Sequence, residues 1–263
     1  MSVWGDMRRR SEGIVLREED KFYRQVFRES VEFTSLTEDE KRDVESLIQS
    51  LHDTPSWRRG IVPSSFHHSC GQMVRVSEER KSYLELFKER GLLPEKEEDW
   101  DEGIVKAIQA VRVLGEYKSA GKEIVLYINN IKDVAIEEEA PEGVLGIPYL
   151  TVVRYVYLHE LMHSYFDREE NDGFEHVRDL EEGLAEFGAL LLLNQLVHHH
   201  PSGNEFDPAI NHALMEELEW AIRHVEGKRG VLQCYARGAE LFKQFRDDKE
   251  IAKKMLEAYP RQF

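Results

Sequence analysis

His159-Glu160-Leu161-Met162-His163 is the stretch on which the reading of this chain turns. It has the form H-E-x-x-H and lies in an apolar, Tyr-rich run that reads as a helix from Thr151 to Phe166. Residues four apart share a helix face, so His159 and His163 present two imidazoles side by side. Neutral imidazole nitrogens bind zinc at ~2.0–2.1 Å, and a catalytic zinc site keeps one tetrahedral position for water. Glu160 adjoins both ligands without having to be one, so it is placed to take a proton from that water. Half of a metal site and a general base are therefore expected here, and the rest of the chain has to supply a third ligand.

Three positions compete for that role. In the pattern H-E-x-x-H-x-x-G-x-x-H/D, the glycine position is Phe166 and the ligand position is Glu169. Without glycine the helix has no easy way to turn back to the metal. His176 follows in a Gly-containing loop. Glu182 begins the next helical segment, in Asp179-Leu180-Glu181-Glu182-Gly183-Leu184-Ala185-Glu186. Glu182 and Glu186 are four apart and face the same way, so one can bind the metal while the other accepts the far N–H of a histidine. Ala185 is small enough to let two helices approach. Acids at a helix start also suit its dipole, which accounts for Glu181 and Glu182 without a metal. It does not account for Glu186 in the apolar run from Leu184 to Leu193. The expected ligand set is His159, His163 and Glu182, with Glu181 as the substitute for Glu182 and Glu186 behind a histidine.

His159-Glu160-x-x-His163 with Glu182-x-x-Ala185-Glu186 on a following helix resembles the gluzincin type of zinc metallopeptidase over roughly residues 123–197. The resemblance implies a small twisted sheet whose edge strand takes the substrate as an added strand, an active-site helix and a glutamate helix. The sequence departs from the thermolysin-like form in having Glu186 where Asp is usual and in lacking that form's downstream histidine signature.

Outside this core the chain reads as follows. Gly13 to Leu16 suits a short strand, and Asp20 to Glu32 a helix. Thr37 and Glu40 make a capping box for a helix carrying Val44, Leu47, Ile48 and Leu51, which ends before Pro55. Residues 53–72 read as loop. His67, His68 and Cys70 fall there and have no partner ligand at a short, regular spacing, so they read as loop residues rather than a second metal site. Ser77 is expected to cap a helix from Glu78 to Arg90. Pro94 and the run Glu95 to Asp99 form the best linker. A helix is expected from Glu102 to Ala120, then a strand from Glu123 to Ile128. Asp133 to Ile136 and Val144 to Ile147 read as further strands, and Pro148 suits the first turn of the H-E-x-x-H helix. Only helices follow, at about 178–199, 208–226 and 231–258. The fold class is α+β, mainly helical: a zincin-like core over 97–263 behind a helical N-terminal region over 1–96, a candidate regulatory or pro-domain.

The chain has 263 residues and a formal net charge of −16. That charge argues against a nucleic-acid partner, which calls for a basic face, and against anionic membranes. The longest apolar run, Ala189 to Leu193, is far short of the ~20 residues of a membrane span. No apolar segment follows the arginines of residues 1–10, so no secretory signal is expected. Cys70 and Cys234 make neither a disulfide framework nor a Cys-x-x-Cys knuckle. A reduced, cytoplasmic protein is the simplest expectation.

The expected activity is hydrolysis of peptide bonds in a peptide or protein substrate by a zinc-activated water, with Glu160 as general base. Tyr235 and His224, on the C-terminal helices, are the candidate oxyanion donors. Asp167, one turn past His163, is a helix-end residue and a candidate outer partner of the site. His198-His199-His200 reads as a solvated helix end. The competing readings are a non-peptidase zinc hydrolase and a non-catalytic interaction protein with a structural metal. The second has no use for Glu160.

Overall fold

A helix that is apolar all round belongs in the middle of a protein. Every residue from Leu150 to Met162 is buried, and so is every residue from Gly183 to Leu193. These two segments are the centre of the molecule. The computed structural model describes residues 31–33, 37–52, 73–89, 91, 102–109, 111–137, 149–169, 178–198, 208–226, 228 and 233–258. In chain order they form β1 (Val31–Phe33), α1 (Glu38–His52), β2 (Met73–Ser77), α2 (Tyr83–Glu89), α3 (Glu102–Gln109), β3 (Gly115–Lys118), β4 (Glu123–Tyr127), α4 (Ile128–Glu137), α5 (Tyr149–Glu169), α6 (Arg178–His198), α7 (Pro208–Glu226), α8 (Gln233–Phe245) and α9 (Lys249–Ala258). The class is α+β and mainly helical. Among the described residues no helix is long and apolar enough to cross a membrane.

The sheet is mixed, with strand order β1-β2-β4-β3. β1, β2 and β4 run parallel, and β3 returns antiparallel to β4 as an edge, with Gly115 opposite Leu126 and Lys118 opposite Glu123. Alternation along each strand gives the sheet two faces. Val74, Val76, Ile124 and Leu126 join the main core with α1, α5 and α6, while Val125 and Tyr127 pack with Leu86 and Val113 on the other side. β1 and β2 precede residue 97 and β3 and β4 follow it, so the boundary expected at 96/97 is not a break in the sheet. Val44, Leu47, Ile48 and Leu51 of α1 lie in the same core as Val152 and Val156 of α5.

Local capping behaves as the sequence implies. Thr37 and Glu40 exchange hydrogen bonds at the start of α1, Glu40 N–H to Thr37 Oγ1 at 3.3 Å and Thr37 N–H to Glu40 Oε2 at 3.3 Å. A second capping box, Ser82 with Glu85, opens α2. Five expectations are corrected. The helix expected from Glu78 starts at Tyr83, and Met73–Ser77 before it is a strand whose Val74 and Val76 are fully buried. The helix expected over 102–120 stops at Gln109, and Gly115–Lys118 pairs with β4. The strand expected at Asp133–Ile136 is part of α4, which buries Ile128, Ile131 and Ala135 at helical spacing. The helix expected over 231–258 breaks at residues 246–248, where Asp248 accepts the Ile251 N–H and caps α9. Val31 and Glu32, read as a helix end, lie in β1. The expectations for residues 13–16 and 20–30, the loop 53–72 with His67, His68 and Cys70, the linker at 94–99, the strand at 144–147, Pro148, His176, His199 and His200 lie outside the described residues.

Two contacts hold the central helices in place. Arg154 and Glu217, both buried, form an ion pair between α5 and α7, with Thr151 donating to the same carboxylate at 3.1 Å. On the other side α8 comes so close to α6 that a Cβ at Gly238 would sit 2.5 Å from the Gly183 carbonyl and 2.6 Å from the Glu186 Cβ. Only glycine permits that approach, and it sets the position of the helix that carries Glu182 and Glu186.

Candidate metal centre

α5 and α6 run antiparallel across one another through a single polar seam. On α5 it consists of Tyr155, His159 and His163, each one turn from the next. On α6 it consists of Glu186, Glu182 and Glu181. His159 Nε2 lies 3.3 Å from Glu182 Oε2, His163 Nε2 lies 3.3 Å from the same oxygen, and the two Nε2 atoms are 3.1 Å apart. Three electron-pair donors thus occupy the corners of a nearly equilateral triangle. A tetrahedral site with bonds of ~2.0–2.1 Å has edges of about 3.3–3.4 Å, so the triangle already has the size of one face. Among the described residues this is the group of His, Cys, Asp and Glu side chains that could hold a metal ion.

The backs of both imidazoles meet carboxylates. His163 Nδ1 is 2.7 Å from Glu181 Oε1, and His159 Nδ1 is 3.3 Å from Glu186 Oε2. At His163 the carboxylate is within hydrogen-bond distance, so it holds the proton on Nδ1 and leaves the Nε2 lone pair for a metal; at His159 the Glu186 carboxylate faces Nδ1 as a charge contact without a hydrogen bond. The alternatives read from sequence are thereby separated. Glu182 reaches the two Nε2 atoms, Glu181 stands behind one histidine, and Glu186 stands behind the other. Tyr155, a residue not singled out from sequence, donates its hydroxyl to Glu186 Oε2 at 2.5 Å. Its spacing of four from His159 was the readable signal.

The electrostatics fit a cation site. Burial works against charge on His159, but Glu182 and Glu186 beside it prevail and raise its pKa to about 9. Burial opposes charge on His163 too, and Glu182 and Glu181 carry it well above the ordinary range. Burial raises Glu182, yet the two imidazoles hold it well below the usual carboxylate range. Protons here do what a metal ion would do, and metal binding must displace them. The consequence for the metal-free chain has a definite sign. A histidine whose folded pKa is raised from 6.5 to about 9 contributes stability that is full below pH 6.5 and is lost as pH rises through 9. The Tm of chelator-treated protein is expected to fall over that window, and added zinc is expected to flatten the slope. A Tm that rises from pH 6.5 to 9 without metal contradicts this account.

The remaining candidates are brought to the same place. His159, Glu160, His163, Asp167, Glu181, Glu182, His224 and Tyr235 all line one cleft of about 760 Å³. Glu160 lies under the edge strand. A Cβ at Gly115 would stand 2.8 Å from Glu160 Cγ, 2.9 Å from its Oε1 and 2.5 Å from a Val156 methyl. Gly115 is therefore part of the site, and nothing in its local sequence marks it. Gly115→Val is expected to displace Glu160 and to cost about 1–3 kcal/mol through overpacking, a loss that denaturant midpoints check.

Tyr235 stacks on His159 with ring centroids 5.5 Å apart and shares a hydrogen bond of 2.6 Å with Tyr83 of α2. Burial first, then the charge of Glu182, push its phenol well above its ordinary pKa, so it stays an O–H donor. His224 stacks on Trp220 at 5.1 Å and meets Tyr155 edge-on. Asp167 accepts a hydrogen bond from Tyr117 of β3 at 2.7 Å, which ties the edge strand to α5 one turn beyond His163. No family model matches this chain, and neither a curated protein nor a solved structure matches it significantly.

Proposed function

We propose that this protein is a zinc-dependent peptidase of the gluzincin type, with His159, His163 and Glu182 as ligands and Glu160 as general base. The observation that carries the reading is the Nε2–Nε2–Oε2 triangle with edges of 3.1, 3.3 and 3.3 Å, set in a cleft beside a buried glutamate. Two imidazoles and a carboxylate suit zinc, although other divalent ions bind such sets. Zinc held there supplies Lewis acidity, lowering the pKa of a bound water to ~7 and polarising a carbonyl.

The chain's own groups supply the rest. Glu160, 6% exposed, takes the water's proton and passes it to the leaving nitrogen. Tyr235 is better placed than His224 to donate to the developing oxyanion, because its ring lies against a ligand histidine while His224 is stacked on Trp220. β3 favours a peptide over a small ester or epoxide. It is the outer strand of the sheet and lines the cleft from Gly115 to Lys118, so it offers backbone donors and acceptors to an extended chain. Such a substrate adds a strand next to Glu160.

The test is elemental analysis of purified protein together with a peptide library and a parallel panel of esters and epoxides. One zinc per chain and metal-dependent cleavage of peptides support the reading. A chain that binds zinc and cleaves only the non-peptide panel moves it to another hydrolase class. A chain that takes up no metal ends it.

A further inference from the structure

The antiparallel seam has one rung that the proposed chemistry does not use. Glu186 is fully buried, and one of its oxygens, Oε1, has no hydrogen-bond partner. Its other oxygen, Oε2, lies between two groups of α5: the Tyr155 hydroxyl at 2.5 Å and His159 Nδ1 at 3.3 Å. The stem of Glu186 packs against Gly238 of α8, and its carboxylate is left to meet those two polar groups. The phenol is by far the shorter contact. It is a rigid, two-torsion side chain, pinned edge-on against Trp220 with ring centroids 5.7 Å apart. Burial and the Glu186 charge hold the phenol well above its ordinary pKa, so it donates.

We propose that Tyr155 is a positioning residue of the metal centre: its hydroxyl fixes the Glu186 carboxylate, and the fixed carboxylate aims the His159 imidazole at the metal. The inference rests on the metal-site reading above. Three consecutive contacts then cross between α5 and α6: the hydrogen bond from Tyr155 to Glu186, the charge contact of Glu186 with His159 Nδ1, and the approach of His159 Nε2 to Glu182. Tyr155 is not one of the metal's donors in this scheme. It acts one step further out than the carboxylate that stands behind a ligand histidine, where a substitution typically weakens metal binding by about 10–100-fold. Loss of its hydroxyl is expected to cost no more than the low end of that range, about tenfold.

The experiment measures zinc affinity by competition with a chelator, and the absorption spectrum of the cobalt-substituted protein, in wild type, Tyr155→Phe, Glu186→Met and the double variant. Tyr155→Phe removes one oxygen and leaves the ring against Trp220. Melting of the four metal-free proteins is followed alongside, and Glu186→Asp, which keeps the charge but draws the carboxylate back from both the hydroxyl and His159 Nδ1, measures the two contacts together. The expected results are an affinity about tenfold weaker in Tyr155→Phe, at least as large a loss in Glu186→Asp, and a shifted cobalt spectrum in both. The double variant is expected to match Glu186→Met alone, because Met offers the hydroxyl no carboxylate and a residue acting only through Glu186 has nothing left to act on. Wild-type affinity and spectrum in Tyr155→Phe overturn the inference while leaving the metal-site reading intact. Additive losses in the double variant do the same, since they mean that Tyr155 acts by another route. A wild type that takes up neither zinc nor cobalt overturns both.

Discussion

Glu160→Gln is expected to keep one zinc per chain and to lower turnover by about 10²–10⁴-fold, the usual contribution of a positioned acid–base group. Gln has the size of Glu and can occupy the same space beneath Gly115, where a Cβ would already lie within 3 Å of the Glu160 side chain. What it lacks is the ability to take a proton. Glu160 does not belong to the donor triangle of His159, His163 and Glu182, so metal content and folding should be untouched. The measurements are zinc per chain, Tm, and kcat on whichever peptide the wild type cleaves. Unchanged kcat removes Glu160 as the base. Lost zinc moves it into the ligand set.

Glu182→Ala is expected to lose the metal, with an affinity loss exceeding the roughly 10–100-fold typical of an outer partner. Its oxygen is the only corner of the triangle contributed by α6, 3.3 Å from each Nε2. Without it, two imidazoles from one helix remain, and a divalent ion keeps two neutral donors and no compensating charge. Glu181 is no ready substitute, because its carboxylate contacts His163 at Nδ1, the opposite side of the ring from Nε2. The metal-free variant should also be altered, since Glu182 is the strongest charge partner of His163 and the first hydrogen-bonded support of His159. Stoichiometric zinc in Glu182→Ala, measured after extensive dialysis, sinks the ligand assignment.

Much of the helical framework could be read directly because capping and helical periodicity are local. Thr37 with Glu40, the whole of Pro208–Glu226 and the start at Arg178 follow from neighbouring residues alone. The sheet was far less legible. β4 is apolar enough to declare itself, but a short strand exists only through its partner. Gly115–Lys118 continues the apolar spacing of the helix before it, and only pairing with β4 makes it a strand. Met73–Ser77 shows two-residue alternation, Val74 and Val76 inward, in a stretch otherwise dominated by loop residues. Asp133–Ile136 is rich in β-branched residues, yet Ile131 and Ala135 find their burial on a helix face against α5. Tertiary burial overrode local preference in each case. The same non-locality places residues before 97 inside the cleft, where Tyr83 meets Tyr235 across 152 positions of sequence.

For the site itself, sequence alone determined which side chains share a face. His159 and His163, and Glu182 and Glu186, are each four apart, and helix geometry brings such pairs together wherever the helix lies. That is enough to name the two histidines, the base and a pair of acids. It cannot divide labour among Glu181, Glu182 and Glu186, because that depends on how deeply and in what register α6 docks on α5. The docking was decided by contacts remote in sequence. Gly183 and Gly238 let α8 press on α6, and a Cβ at Gly188 would stand 2.7 Å from the Met162 sulfur and Cε, so glycine there lets α6 press on α5. Only at that separation does Glu182 reach both Nε2 atoms while its two neighbours in the seam fall behind the rings.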